Sequence, residues 1–366
     1  MPEKERLESK LEELKKDYSK TKYNKATNKY LGLLRAKIAK TKREIIEAGK
    51  RKKGSGFFVK KTGDATVALV GFPSAGKSTL INAISNADSK TAGYAFTTTE
   101  VIPGMLIHNY AHIQVFDLPG IIENASINAG GGRTIISAAK VCDLIVFVIE
   151  STNPEQLDKI MGEFRKLEIY VNKEKPDFEI HESEKPGLVI DINKSGLDER
   201  TVHEILSGLG IKNSIVRLRS KLSEDELISL VSGKSTYVRA IVALSKIDID
   251  DNYRKTADSI SRKYGIEVIP ISVFENTNIN ELMDGIYNSL ELITIYMKPR
   301  LESEKAEPMI LRKGATVGDA ANKMHTKIID ELKCAYVKGP SIRFGMQRVG
   351  IAHVLMGGDT VTLIKK

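Results

Sequence analysis

A chain of 366 residues, 41% hydrophobic and 28% charged, is too long for one ordinary core and is expected to fold as two or three globular domains. No apolar run approaches the ~20 residues of a membrane span, and the start MPEKERLESK lacks the apolar core of a signal peptide; a soluble, cytoplasmic protein without a membrane partner is expected. Cys142 and Cys334 stand far apart and the six histidines show no ligand spacing, which excludes a disulfide framework and a CxxC metal site.

The net charge of +9 is unevenly placed: residues 1–63 hold 20 Lys and Arg against 8 Asp and Glu, so the rest of the chain is slightly acidic. A basic segment on a near-neutral body suggests a polyanion partner, structured RNA rather than DNA; the alternative is a solvated, lysine-rich helix surface. Within this segment Leu7, Leu11 and Leu14 recur at helical spacing, as do Leu34, Ile38, Ile45 and Ile46, and the polar stretch Ser19–Lys29 separates them. The pattern predicts a helical hairpin, followed by a flexible basic linker, KRKKGSG, at 50–56.

From Ala65 strand-length apolar runs alternate with helix-length segments: ATVALV (65–70), HIQVFD (112–117), LIVFVI (144–149), AIVALS (240–245) and IEVIPIS (266–272). Such runs fit parallel strands buried on both faces of a doubly wound α/β sheet. The interval between the third and fourth runs far exceeds one crossover helix, which places a small α/β insert there. Within it GLVIDIN (187–193) and SIVRLR (214–219) read as strands and ERTVHEILSGLG (199–210) as a helix. After a helix around Ile279–Leu292, ITIYMKP (293–299) and TVTLIKK (360–366) read as strands framing a helix over 318–333. The resulting divisions are a basic N-terminal region (1–63), a first sheet domain in two parts (64–164 and 237–290), an insert (165–236) and a β-rich module (291–366).

Between the first strand and the helical pattern LINAIS lies Gly71-Phe72-Pro73-Ser74-Ala75-Gly76-Lys77-Ser78-Thr79, a GxxxxGK[ST] loop in the strand-to-helix context that gives it meaning. Backbone amides of such a loop turn inward around a β-phosphate, Lys77 would bridge β- and γ-phosphates, and the Ser78 hydroxyl would reach Mg²⁺. Asp117 ends a neighbouring strand, where it can hold a metal-bound water, and Gly120 could offer its N–H to a γ-phosphate. In Tyr94-Ala95-Phe96-Thr97-Thr98-Thr99, a threonine could complete the Mg²⁺ shell, or the run could simply enter a strand.

Base choice falls on Ser245-Lys246-Ile247-Asp248, at a strand's carboxyl end. A carboxylate there accepts from N1–H and N2–H₂ of guanine, whereas adenine offers an acceptor at N1 and no 2-amino group; Asp248 argues for GTP over ATP. Lys246 can lay its stem along the base, and Ser272-Val273 would supply a backbone N–H to guanine O6.

The set GFPSAGKST, YAFTTT, DLPGIIENA, SKID and ISV, in that order, resembles the Obg-related translation-factor GTPases, most closely the developmentally regulated GTP-binding (DRG) family. The resemblance covers essentially the whole chain and implies a P-loop GTPase domain with an N-terminal helical hairpin, an inserted domain and a C-terminal TGS domain, a small ubiquitin-like β-grasp module. It implies Thr98 as the Mg²⁺-binding threonine, with Leu118, Pro119, Gly120 and Ile121 following Asp117 along the nucleotide. It also implies a ribosomal or RNA partner, with an activating or stabilising protein as a further one. Two departures stand out. Ser245 replaces the family's asparagine, so weaker nucleotide affinity with retained guanine preference is expected. Ser74 stands where related enzymes coordinate potassium through an asparagine, which argues against K⁺.

Ile121 occupies the place where Ras-like GTPases carry the glutamine that orients the attacking water. Slow intrinsic hydrolysis is therefore expected, with the missing polar group supplied by backbone, another loop or a partner in trans. Two functions fit these residues: a GTP-hydrolysing switch acting on translation, or an RNA- or ribosome-binding assembly factor that uses GTP structurally with negligible turnover.

Overall fold

The computed structural model describes residues 3–21, 27–48, 63–85, 103–117, 137–193, 196–233, 235–299, 306–324 and 332–365. The chain divides into two compact units, one from Met1–Gly56 and Arg165–Tyr237, the other from Phe57–Phe164 and Val238–Lys366. No helix among the described residues is long and apolar enough to cross a membrane.

In the second unit β1 (Ala65–Val70), β2 (Pro103–His108), β3 (Ala111–Asp117), β4 (Leu144–Glu150), β9 (Thr236–Ser245) and β10 (Val268–Pro270) form a sheet in the order β10-β9-β4-β1-β3-β2. Among these six strands the pairings are parallel except that of β2, an antiparallel edge strand that the apolar runs did not announce. Every residue of β1, the apolar ones and Thr66 alike, is buried, as a central parallel strand covered on both faces requires. Val67, Leu69, Val146 and Val148 pack on one face against Leu80, Ile81 and Ile84 of α3 (Lys77–Ile84). On the other face Phe147 meets Phe164 edge-on, with ring centroids 5.4 Å apart. Phe164 belongs to α4 (Glu155–Lys166), which buries Leu157, Ile160 and Phe164 along one stripe. Acidic Glu155 and Asp158 lie in its first turn and Arg165 and Lys166 in its last, complementing the helix dipole. Helices thus cover both faces, as a doubly wound sheet demands.

The amino-terminal edge of this sheet is fastened by Asp143, just before β4. Its Oδ2 accepts from Thr66 N at 2.9 Å and Thr66 Oγ1 at 2.8 Å, and its Oδ1 accepts from Arg312 Nη2 at 2.6 Å. Arg312 ends β12 (Glu307–Arg312), the second strand of the C-terminal domain. Lys323 adds a bond to Asp64 at 2.7 Å.

The C-terminal domain is a five-stranded sheet, β12-β11-β15-β13-β14, built from β11 (Leu292–Met297), β12, β13 (Leu332–Lys338), β14 (Gln347–Val349) and β15 (Thr360–Lys365). Its helix α9 (Val317–Met324) buries Val317, Ala320 and Ala321 against them. The helix expected over 318–333 is corrected at its end: Leu332 and Lys333 open β13. Leu332, Cys334 and Val337 are buried while Lys333, Tyr336 and Lys338 are exposed, an alternation close to the two-residue period of a strand.

In the first unit α1 (Glu3–Lys20) and α2 (Asn28–Ala48) form a hairpin, with Arg35 donating to Tyr18 Oη at 2.6 Å. Leu7, Leu11 and Leu14 are half-buried, while Arg6, Lys10, Lys15, Lys16 and Lys20 face solvent. The insert contributes β5 (Ile169–Val171), a sheet ordered β6-β8-β7 (Phe178–Glu182, Ser214–Leu218, Leu188–Ile192), and helices α5 (Glu199–Gly208) and α6 (Glu224–Val231). Ser223 and Glu226 make a reciprocal capping box at the start of α6. The insert and the hairpin share one unit: Arg35 Nη1 binds Glu224 Oε2 at 2.7 Å, and a Cβ on Gly208 would sit 3.3 Å from that of Ala36.

Asp143→Ala should lower stability by at least about 2 kcal/mol in urea unfolding, because hydrogen bonds to a largely buried carboxylate are worth about 1.5–3 kcal/mol. Arg312→Ala removes only an exposed partner and should cost less than about 1 kcal/mol.

Candidate functional site

The phosphate loop is shaped by three residues. A Cβ on Gly71 would meet the Val148 carbonyl at 2.4 Å, so only glycine allows the chain to leave β1 this close to β4. Ser74 at φ 63 and Gly76 at φ 91 take the left-handed conformation, which turns the loop's amides into an anion-binding concavity. Gly76 caps α3 with no side-chain hydrogen bond, so the first-turn N–H groups remain for a ligand. Ala75 is fully buried beneath the loop; Pro73, Ser74, Ser78 and Thr79 are exposed.

Lys77 is largely buried and folds back over this loop, its Nζ donating to Gly71 O and Phe72 O at 3.0 Å each. Burial pulls its pKa down, and the Asp117 carboxylate partly offsets this. An anion in the loop would offset that burial penalty by favouring the ammonium form.

Ser78 Oγ donates to Asp117 Oδ2 at 2.8 Å, bringing together two residues 39 apart in sequence. Asp117 is the last residue of β3, and its Oδ1 is buried with no hydrogen-bond partner among the described residues. A hydroxyl and a carboxylate with an unsatisfied oxygen are hard donors suited to Mg²⁺, and the orphaned oxygen fits a cation placed there. Thr98, Leu118, Pro119, Gly120 and Ile121 lie outside the described residues.

At the other end of the site Ser245 is the last residue of β9 and is buried. Its hydroxyl lies 2.9 Å from Ala75 O and 3.2 Å from Ile149 O. The serine therefore reaches the phosphate loop despite its length, but one hydroxyl proton cannot fully satisfy two carbonyls, as the two protons of an amide could. Lys246 turns through φ 61, and its Nζ is held by Glu150 Oε1 at 2.5 Å. Ile247 is buried while Asp248 is exposed; Asp248 Oδ1 accepts from Ser272 Oγ at 2.6 Å. The Ser272 N–H donates to Thr277 O at 3.2 Å, which leaves Val273 as the member of that pair able to offer an N–H to a base.

A cavity of about 310 Å³ joins the two ends, lined by Ala75, Gly76, Ser245, Lys246, Asp248 and Val273 among others. Its size falls within the range of small-ligand pockets. Three contributors escaped the motif reading. Glu150 and Ser151 end the run LIVFVI on polar residues and hold Lys246 through its ammonium and, at 3.0 Å, its carbonyl. Phe274 also lines the cavity, and as a lone aromatic in a loop it carried no recognisable signal.

Three family models match in succession: "50S ribosome-binding GTPase" over residues 66–179, the C-terminal region of that domain over 187–292, and the TGS domain over 293–365. An uncharacterised GTP-binding protein of Methanocaldococcus jannaschii is 36% identical over 98% of this chain and 93% of its own length. Developmentally-regulated GTP-binding protein 1 of Xenopus laevis and developmentally-regulated GTP-binding protein 2 of Homo sapiens are each 36% identical, over 98% of this chain and 99% of theirs. With the phosphate loop, the Ser78–Asp117 pair and Asp248 gathered along one sheet edge, this likeness settles the family: the chain is a GTP-binding protein of the Obg-related DRG family, a P-loop GTPase fold with a C-terminal TGS domain.

Proposed function

We propose that the chain hydrolyses GTP to GDP and phosphate and that the bound nucleotide switches its engagement with ribosomes or structured RNA. The observation that carries this reading is the Ser78–Asp117 pair, whose Oδ1 has no partner among the described residues, set beside the buried Lys77. These are the groups that phosphoryl transfer needs on one side of the reacting phosphate. Ser78 and Asp117, with Thr98, would hold Mg²⁺, which when bound supplies positive charge to the phosphate oxygens. Lys77 leaves the Gly71 and Phe72 carbonyls for the β- and γ-oxygens, and the loop amides stabilise charge as it develops. The Gly120 N–H senses the γ-phosphate, and water attacks in line. Asp248 selects guanine, with Lys246 and the Val273 N–H completing the base site. Serine at position 74 replaces the asparagine that coordinates potassium in related enzymes, and the proposed turnover does not invoke potassium.

Ile121 brings no polar group to the attacking water, so intrinsic turnover is slow and a group supplied in trans completes the site. The exposed Lys10, Lys15, Lys16 and Lys20 on α1 support a polyanion partner, and the likeness to a family of ribosome-binding GTPases supports a ribosomal one. The same Ile121 also favours a second reading, an assembly factor that holds GTP without appreciable turnover.

Single-turnover GTP hydrolysis with and without ribosomes separates the two. The switch predicts acceleration by orders of magnitude, as trans-acting groups give other GTPases; an unchanged rate at saturating ribosomes would leave the assembly factor standing. Ser245→Ala removes the hydroxyl shared by Ala75 and Ile149 and should raise the Kd for GDP by roughly threefold to tenfold in calorimetric titration, the loss of about 1 kcal/mol expected for one hydrogen bond.

A further inference from the structure

We infer that Phe274 is a base-stacking residue, whose ring covers the open face of the guanine held by Asp248. This rests on guanine-nucleotide binding at the cavity and adds a specific contact to it. Phe274 is 93% exposed, an unusual position for a large aromatic, and it borders the same cavity as Asp248 and Lys246. Ile249, 65% exposed, lines that cavity too. The cavity mouth therefore presents two large apolar side chains to solvent beside a carboxylate. A flat heterocycle with N–H donors along one edge and an apolar face matches this surface.

The backbone of the loop that carries Phe274 is held in place. Ser272 and Thr277 close it with reciprocal backbone bonds, Ser272 N to Thr277 O at 3.2 Å and Thr277 N to Ser272 O at 2.9 Å. The Ser272 hydroxyl accepts from Glu275 N at 3.1 Å while donating to Asp248 Oδ1 at 2.6 Å. One side chain thus fixes both the carboxylate that reads the base edge and the turn that carries the ring. Lys246, with its ammonium held by Glu150, keeps its stem at the cavity as the other apolar surface. Base–aromatic stacking is tolerant of base identity, so Phe274 contributes affinity and leaves discrimination to Asp248.

The chain contains no tryptophan, so Phe274→Trp places a single reporter at the cavity mouth. In that variant GDP and GTP should quench the tryptophan emission and bind within about threefold of the wild-type Kd, since the larger indole keeps the stacking face. Phe274→Ala should raise the Kd for both GDP and GTP by about tenfold, the scale of losing one base–aromatic stack, with guanine-over-adenine preference unchanged. Unchanged affinity in Phe274→Ala, or no quenching in Phe274→Trp while GDP binds, would overturn the assignment. Wild-type protein that binds no GDP would overturn guanine-nucleotide binding itself, and the assignment with it.

Discussion

The nucleotide edge of this molecule depends on one close approach, the passage of Gly71 over the carbonyl of Val148, where a single added methyl would collide at 2.4 Å. Parallel pairing of β1 with β4 and of β4 with β9 sets the ends of all three strands side by side. The phosphate loop leaves the first, Glu150 ends the second and Ser245 ends the third. Because Gly71 lets the loop lie directly on β4, the buried Ser245 hydroxyl can reach Ala75 from beneath. The phosphate loop and the candidate base site are thereby joined by one hydrogen bond across 170 residues of sequence.

The two ends of the site use opposite physics. At the phosphate end a lysine is buried among backbone carbonyls at a cost that shows in its lowered pKa, and a carboxylate oxygen has no partner among the described residues. Charged ligands would offset the burial of both groups, in keeping with the metal-bound phosphate proposed for this end. At the base end the groups are already satisfied: Ser272 holds Asp248, and Glu150 holds Lys246. That end is preorganised, so binding there loses little to side-chain ordering.

Much of this was legible in the sequence because the motifs sit where strands end. DLPG begins on the last residue of β3 and SKID on the last residue of β9, and apolar runs mark such ends sharply. Other features carried no local signal. The lock between Ser272 N–H and Thr277, which removes one of two candidate donors to the base, is a property of a folded turn. The strand from Leu332 was hidden because Ile328, Ile329 and Leu332 also satisfy helical spacing, and the sheet partner at β15 decides the matter. Docking of the N-terminal helices on the insert rests on Arg35 meeting Glu224, 189 residues away; periodicity shows that each helix has an apolar stripe and cannot say what covers it. Thr98 and Gly120 lie outside the described residues, and their roles rest on resemblance alone.

The account stands most directly on Asp248 as the reader of the base, and equilibrium binding of GTP, XTP and ATP to wild type and Asp248→Asn tests it. Wild type should bind GTP and reject ATP. The amide should repel the guanine N–H edge, weaken GTP by roughly a hundredfold through loss of two charge-assisted hydrogen bonds, and accept XTP through the carbonyl that xanthine carries in place of the 2-amino group. Wild type that binds ATP as well as GTP, or a variant with undiminished GTP affinity, would contradict it.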